Sequence, residues 1–174
     1  MLKKVGAASV RLAALASAKA DLAKARSLLQ GADLIFISGG DVEAGMRVLE
    51  RTGFDSLLME MHQAGKPFIG ASAGSIMLAQ SWVRWTDAAD DSTAESFSCL
   101  NLVPLLCDTH AEKEDWEELK VLLKISGAAV GYGIPSGAAL RVSADGSLLA
   151  LGKPIQRLAW RGGLPELIGE LPVS

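Results

Sequence analysis

The segment Gly70-Ala71-Ser72-Ala73-Gly74 sets a serine hydroxyl among small residues, directly after the apolar run Phe68-Ile69 and before the helix-forming stretch Ala73–Gln80. A serine in the pattern G-x-S-x-G at a strand-to-helix turn is a nucleophile elbow. The backbones of strand and helix come close there, and side chains larger than a methyl would clash. The matching chemistry is attack of Ser72 on a carbonyl. The N–H groups that open the helix face the oxyanion, and the helix dipole favours negative charge there. Serines between glycines also occur in inert loops, so it is the strand–turn–helix context that carries the reading.

A serine nucleophile needs a base, and the chain has two histidines. His62 lies in the helix ahead of the elbow strand, and the expectation is a surface residue turned away from the reactive edge. His110 follows the segment Leu102–Leu106. Thr109 and Glu112 have the spacing of a capping box, which puts His110 in the first turn of a helix. The positive helix end would keep its imidazole neutral and able to accept a proton. The plainer alternative is a polar residue that merely starts a helix.

A third group should orient that histidine. Asp87, Asp90, Asp91, Asp108 and Glu112 are the candidates. Asp87 ends the strand after the nucleophile helix and can reach the same sheet edge, whereas Asp90, Asp91 and Asp108 read as solvated loop charges. The turn Ser38-Gly39-Gly40-Asp41 also closes an apolar strand, at the edge where α/β sites form. Its glycines can bring backbone N–H groups to a ligand, beside the N–H of Ala73. It can equally be a Gly-Gly turn that only starts a helix.

The elements around these residues alternate in a way that predicts an α/β fold: a mostly parallel sheet flanked by helices, ending in an antiparallel patch. Lys4–Ser9 reads as a strand and the Ala-, Leu-, Lys- and Arg-rich stretch to Gln30 as a helix. Leu34-Ile35-Phe36-Ile37 reads as a buried parallel strand. Helices follow at Val42–Arg51 and Asp55–Ala64, then a strand at Phe68–Ala71 and the helix Ala73–Gln80. Ser81–Thr86 reads as a strand, Asp87–Glu95 as a polar loop and Glu112–Lys124 as an amphipathic helix with Trp116, Leu119, Leu122 and Leu123 on one face. Beyond it, Val130–Tyr132, Ala139–Val142, Leu148–Leu151 and Ile155–Trp160 are short strands, with a hairpin turn at Ala144-Asp145-Gly146-Ser147.

Composition narrows the function classes. The 174 residues fit a single domain spanning 1–174, and 49% hydrophobic with 21% charged residues is ordinary for a folded chain. A net charge of -3, no basic run and 5% aromatic residues argue against nucleic acid as a partner. No stretch reaches the ~20 apolar residues of a membrane span, and the start reads as a strand rather than a secretory signal, so the expected location is the cytoplasm. Cys99 and Cys107 lack the close-set Cys and His partners of a zinc site and read as reduced packing residues. No metal or other cofactor is expected.

These residues resemble the peptidase E (aspartyl dipeptidase) and cyanophycinase family of serine peptidases, which share the class I glutamine amidotransferase-like fold. The resemblance runs from about Lys4 to Gly163. It rests on the strand end Ser38-Gly39-Gly40-Asp41, the elbow Gly70-Ala71-Ser72-Ala73-Gly74-Ser75, and Leu100-Asn101-Leu102-Val103-Pro104-Leu105 leading to His110. It implies Ser72 as nucleophile, His110 as base, Asp87 as the acid, and an oxyanion site on the backbone of Gly40 and Ala73. Gly39 and Asp41 complete the substrate-binding turn.

The chain also departs from that pattern. Family members open with a further strand and helix, so this chain looks shortened at its N-terminus, and a homodimer partner could supply the missing edge. Asp41 stands where relatives usually carry Asn. No Arg matches the one that would hold an N-terminal aspartate, and the segment after His110 is instead acidic, with Glu112, Glu114, Asp115, Glu117 and Glu118. The reading is a serine hydrolase acting on a small peptide or related amide. The competing reading is a non-catalytic relative that binds a small ligand in the same cleft. A glutamine amidotransferase subunit would need cysteine at the elbow.

Overall fold

The computed structural model describes residues 2–87 and 89–173. Helix α1 (Leu22–Gln30) leads into β1 (Ile35–Ile37), followed by α2 (Val42–Thr52), α3 (Phe54–Gln63) and β2 (Phe68–Gly70). The short α4 (Ala73–Leu78) connects to β3 (Ser81–Trp85) and β4 (Ala94–Ser98), then to β5 (Leu106–Thr109), α5 (Glu117–Ser126) and β6 (Gly131–Ile134). The chain continues through β7 (Ala139–Val142), β8 (Leu148–Leu151), β9 (Ile155–Arg161) and β10 (Leu164–Leu171).

Two parallel ladders carry the frame. β1 runs beside β2 with Ile37 opposite Gly70, and β5 runs beside β6 with Thr109 opposite Ile134. In a parallel pair the carboxyl ends lie at the same edge, so each ladder delivers its following loops together. The antiparallel patch expected at the end of the chain is present. β9 pairs β6 and β10 to complete a sheet of order β10-β9-β6-β5, while β7 and β8 form a separate hairpin. In that hairpin Gly146 adopts φ 80, and the Asp145 carboxylate accepts the Ser147 N–H at 2.9 Å.

Helix ends follow local chemistry. Asp41 caps α2 by accepting the Ala44 N–H at 2.7 Å, and Gly53 closes it in the left-handed conformation. Asp21 caps α1 in the same way, through the Lys24 N–H. On α5, Leu119, Leu122 and Leu123 are fully buried with Trp116, as their spacing requires. They join one cluster with Phe54, Leu106 and Ile155.

The N-terminal expectation fails. Lys4–Ser9 forms no strand, and the helix begins only at Leu22. Leu2–Val5 is instead a single 3-10 turn; with Val5 77% and Leu12 84% exposed, the stretch has too little apolar contact to hold a strand or a longer helix, and helix propensity alone does not suffice. The helix expected from Glu112 begins at Glu117. Residues 111–116 form a turn instead, with Asp115 and Trp116 both at positive φ.

Candidate active site

Three strand ends meet at one edge: β1 at Ser38-Gly39-Gly40, β2 at Ser72 and β5 at His110. Ser72 sits at φ 54, ψ −129, a conformation rare for a residue with a side chain and the mark of a sharp elbow. The glycines around it are needed for close approach. A β-carbon on Gly70 would lie 2.5 Å from the Ser75 N and Cα, and one on Gly74 would run into the carbonyls of Ile37 and Ser38. The Ala71 N–H also donates to the Ile37 carbonyl at 3.0 Å, fastening the elbow to β1.

The segment before His110 is tied to the same helix. The N–H groups of Leu100, Asn101 and Leu102 donate to the carbonyls of Met77, Ala79 and Leu78, and Gln80 donates back to Leu105. The run Asn101-Leu102-Val103-Pro104-Leu105 thus clasps the end of the helix that Ser72 begins, and β5 starts from that clasp. His110, at φ 50, donates its N–H to the Ile134 carbonyl at 2.9 Å. Trp116 locks the turn beyond it, with Nε1 on Gln156 Oε1 at 2.6 Å and its ring over Gly133, where a β-carbon would lie 2.7 Å from the indole.

The outcome is a hydrogen bond of 2.7 Å between Ser72 Oγ and His110 Nε2, across 38 positions of sequence. Both line a cavity of about 500 Å³ with Gly40 and Ala73, and with an apolar wall that includes Val42, Ile76 and Trp82. The N–H groups of Gly40 and Ala73 donate to no acceptor among the described residues. Gly39 lies directly against the Ser72 side chain. Asp41 is placed differently: its carboxylate caps α2, and it does not line the cavity.

His110 does not open a helix. Thr109 and Glu112 form no capping box, because Glu112 instead accepts the Ser136 N–H at 3.1 Å and thereby ties the turn to the end of β6. The positive helix end invoked for the imidazole is therefore not what surrounds it. His62 is half-buried rather than on the surface, edge-on to Phe68 at 5.8 Å, at the amino end of β2 away from Ser72.

No carboxylate bonds the His110 ring among the described residues. Asp87 turns back on its own loop: its carboxylate accepts the Ala89 N–H at 3.0 Å, and its backbone N–H meets Thr93 Oγ1. It does not line the cavity. Asp108, read from the sequence as a solvated charge, does line it and is only 3% exposed. Its Oδ1 takes the Thr109 N–H at 2.7 Å, while Oδ2 is buried with no hydrogen-bond partner among the described residues. Burial pushes this carboxyl up to about 6; the Thr109 N–H opposes that, Glu118 and Glu114 add to it, and His110 opposes it. Asp108 lies inside β5, whose four residues are all buried, and the sequence carried no signal that distinguished it from the loop acids.

Cys99 and Cys107 are buried and their thiols are pushed up to about 12, chiefly by burial. A buried, protonated thiol is a poor nucleophile at neutral pH.

Residues 1–149 match the family model for peptidase family S51. Peptidase E of Streptomyces coelicolor is 33% identical over 148 residues, which cover 79% of this chain and 60% of that protein. Peptidase E of Shewanella denitrificans is 34% identical over 85 residues, 49% of this chain and 36% of that protein. The chain therefore spans about three fifths or less of the length of these relatives. Among solved structures, a protein of Listeria monocytogenes named for peptidase E superposes with a TM-score of 0.65 at 23% identity, covering 86% of this chain and 72% of that one. A peptidase from an acI-B1 actinobacterium gives 0.62 at 22% identity, covering 86% and 60%. At such identities the likeness is one of fold: α/β, with mixed sheets and flanking helices, of the class I glutamine amidotransferase-like kind.

Proposed function

This chain belongs to peptidase family S51, and we propose that it is a serine hydrolase that cleaves small peptides or related amides through Ser72 and His110. The observation that carries the proposal is the 2.7 Å contact between Ser72 Oγ and His110 Nε2, both of which line the cavity. That is the distance at which a base can take the hydroxyl proton.

Ser72 Oγ attacks the scissile carbonyl carbon as its proton passes to His110 Nε2. The carbonyl oxygen becomes an oxyanion between the N–H groups of Gly40 and Ala73, which have no other acceptor among the described residues. One such donor is worth ~3 kcal/mol to the transition state. Collapse of the intermediate breaks the C–N bond, and His110 returns its proton to the departing amine. Water then attacks the Ser72 ester, gives a proton to His110, and releases the acid as Ser72 regains its hydrogen.

The family resemblance assigns the orienting acid to Asp87. That role requires the Asp87 carboxylate to leave the Ala89 N–H and reach the His110 ring. Hydrolysis of a panel of dipeptides and short amides, followed by release of free amine, tests the proposal. Wild type is expected to turn over at least one member and Ser72→Ala none; equal rates for both would overturn it.

A further inference from the structure

We infer that the cavity beside Ser72 selects a positively charged residue, presenting an ammonium or guanidinium group to the carboxylates that line it. That the bound residue belongs to a substrate rests on the hydrolase reading above; the binding itself does not. Asp108, Glu114, Glu117 and Glu118 line the same cavity as Ser72, and among the described residues no Lys or Arg does. Among those lining residues His110 alone can carry a positive charge, and its Nε2 is engaged by Ser72. Lys120, on α5, is paired with Asp115 at 2.6 Å rather than with the lining glutamates.

A row of exposed glutamates would mean little alone. The second observation is Asp108. It is 3% exposed and lines the cavity together with the three glutamates, and its Oδ2 has no hydrogen-bond partner among the described residues. A buried carboxylate oxygen without a donor is unfavourable, and a cationic N–H donor satisfies it while neutralising the charge. Burial also raises the Glu118 carboxyl, in the same direction as Asp108.

The carboxylates do not converge tightly enough for a metal: among the described residues no group of three or more His, Cys, Asp or Glu is placed to hold one. The cavity, about 500 Å³, is in the ordinary range for a small ligand. An aspartyl group there would meet like charges at every turn, which disfavours binding.

The test uses Ser72→Ala protein, so that ligands bind without turnover, and measures affinity for Arg-Ala, citrulline-Ala, Ala-Ala and Asp-Ala by calorimetry. Citrulline keeps the shape of arginine and removes its charge. The expected result is at least tenfold tighter binding of Arg-Ala than of citrulline-Ala, with Asp-Ala weakest. The preference should shrink as salt rises and fall in a Glu117→Gln/Glu118→Gln variant. Equal affinity for Arg-Ala and citrulline-Ala, tighter binding of Asp-Ala, or no binding of any peptide would overturn the inference, whatever the glutamate variant does. Serine labelling of the wild type separates the two proposals. A reactive serine without cation preference removes the cation site alone, and cation binding by a folded protein with an unreactive serine removes the hydrolase alone.

Discussion

Gly39 packs against Ser72 so closely that a β-carbon at position 39 would lie 3.0 Å from the serine Cβ and 3.4 Å from its Oγ. The glycine that ends one strand therefore sets the space in which the nucleophile of the next can turn. Gly39→Ala is expected to push Oγ off the 2.7 Å line to His110 and lower the rate of serine modification at least tenfold, because small misplacements of reacting atoms are expensive. The melting temperature should fall by only a few degrees. Rates of fluorophosphonate modification alongside thermal melts check both halves.

Gly74 meets a harder limit. Its missing side chain lets α4 cross the end of β1, and a methyl there would strike two backbone carbonyls that cannot swing away. Gly74→Ala is expected to destabilise the fold by about 3 kcal/mol or more, the class of effect seen when a core is overpacked against rigid backbone. Urea unfolding measures it. A loss below about 1 kcal/mol would mean the elbow can open without harm.

Much of this arrangement was legible in the sequence, and the limits have physical causes. The elbow announced itself because only small residues fit where strand and helix backbones touch, and Gly70 and Gly74 are tight in just that way. The helices at 42–52, 54–63 and 73–78 lie within two residues of the bounds read from the sequence, and of the three only the first carries a side-chain cap, Asp41. The stretch 111–116 misled because Thr109 and Glu112 have capping-box spacing, whereas tertiary contacts of Glu112 with Ser136 and of Trp116 with Gln156 hold it as a turn. Asp108 misled because a charge in a four-residue strand looks solvated until its neighbours cover it.

Asp108 gives the stability a defined pH dependence. Its carboxyl rises from 3.8 to about 6, principally through burial. The folded state thus favours the protonated form, so this group's contribution to stability is full below about pH 4 and is lost as pH rises through about 6. Asp108→Asn keeps an acceptor for the Thr109 N–H and removes the charge. The variant is expected to match wild type near pH 4 and exceed it at pH 7.5 by about 1–3 kcal/mol. Urea unfolding across that range checks the sign.

Asp87 gives the opposite expectation. Its carboxylate serves the Ala89 N–H and does not line the cavity that holds Ser72 and His110. Asp87→Ala is therefore expected to slow serine modification by less than tenfold. A loss of a hundredfold or more, with the fold intact by circular dichroism, would show that Asp87 reaches the histidine during reaction.

The most direct test of the account is the rate of covalent modification by a fluorophosphonate, followed by mass spectrometry, in wild type, Ser72→Ala and His110→Ala. A single adduct is expected on the peptide containing Ser72, absent in Ser72→Ala and slowed at least a hundredfold in His110→Ala. A well-folded wild type that forms no adduct, or one that His110→Ala modifies at the same rate, would contradict it.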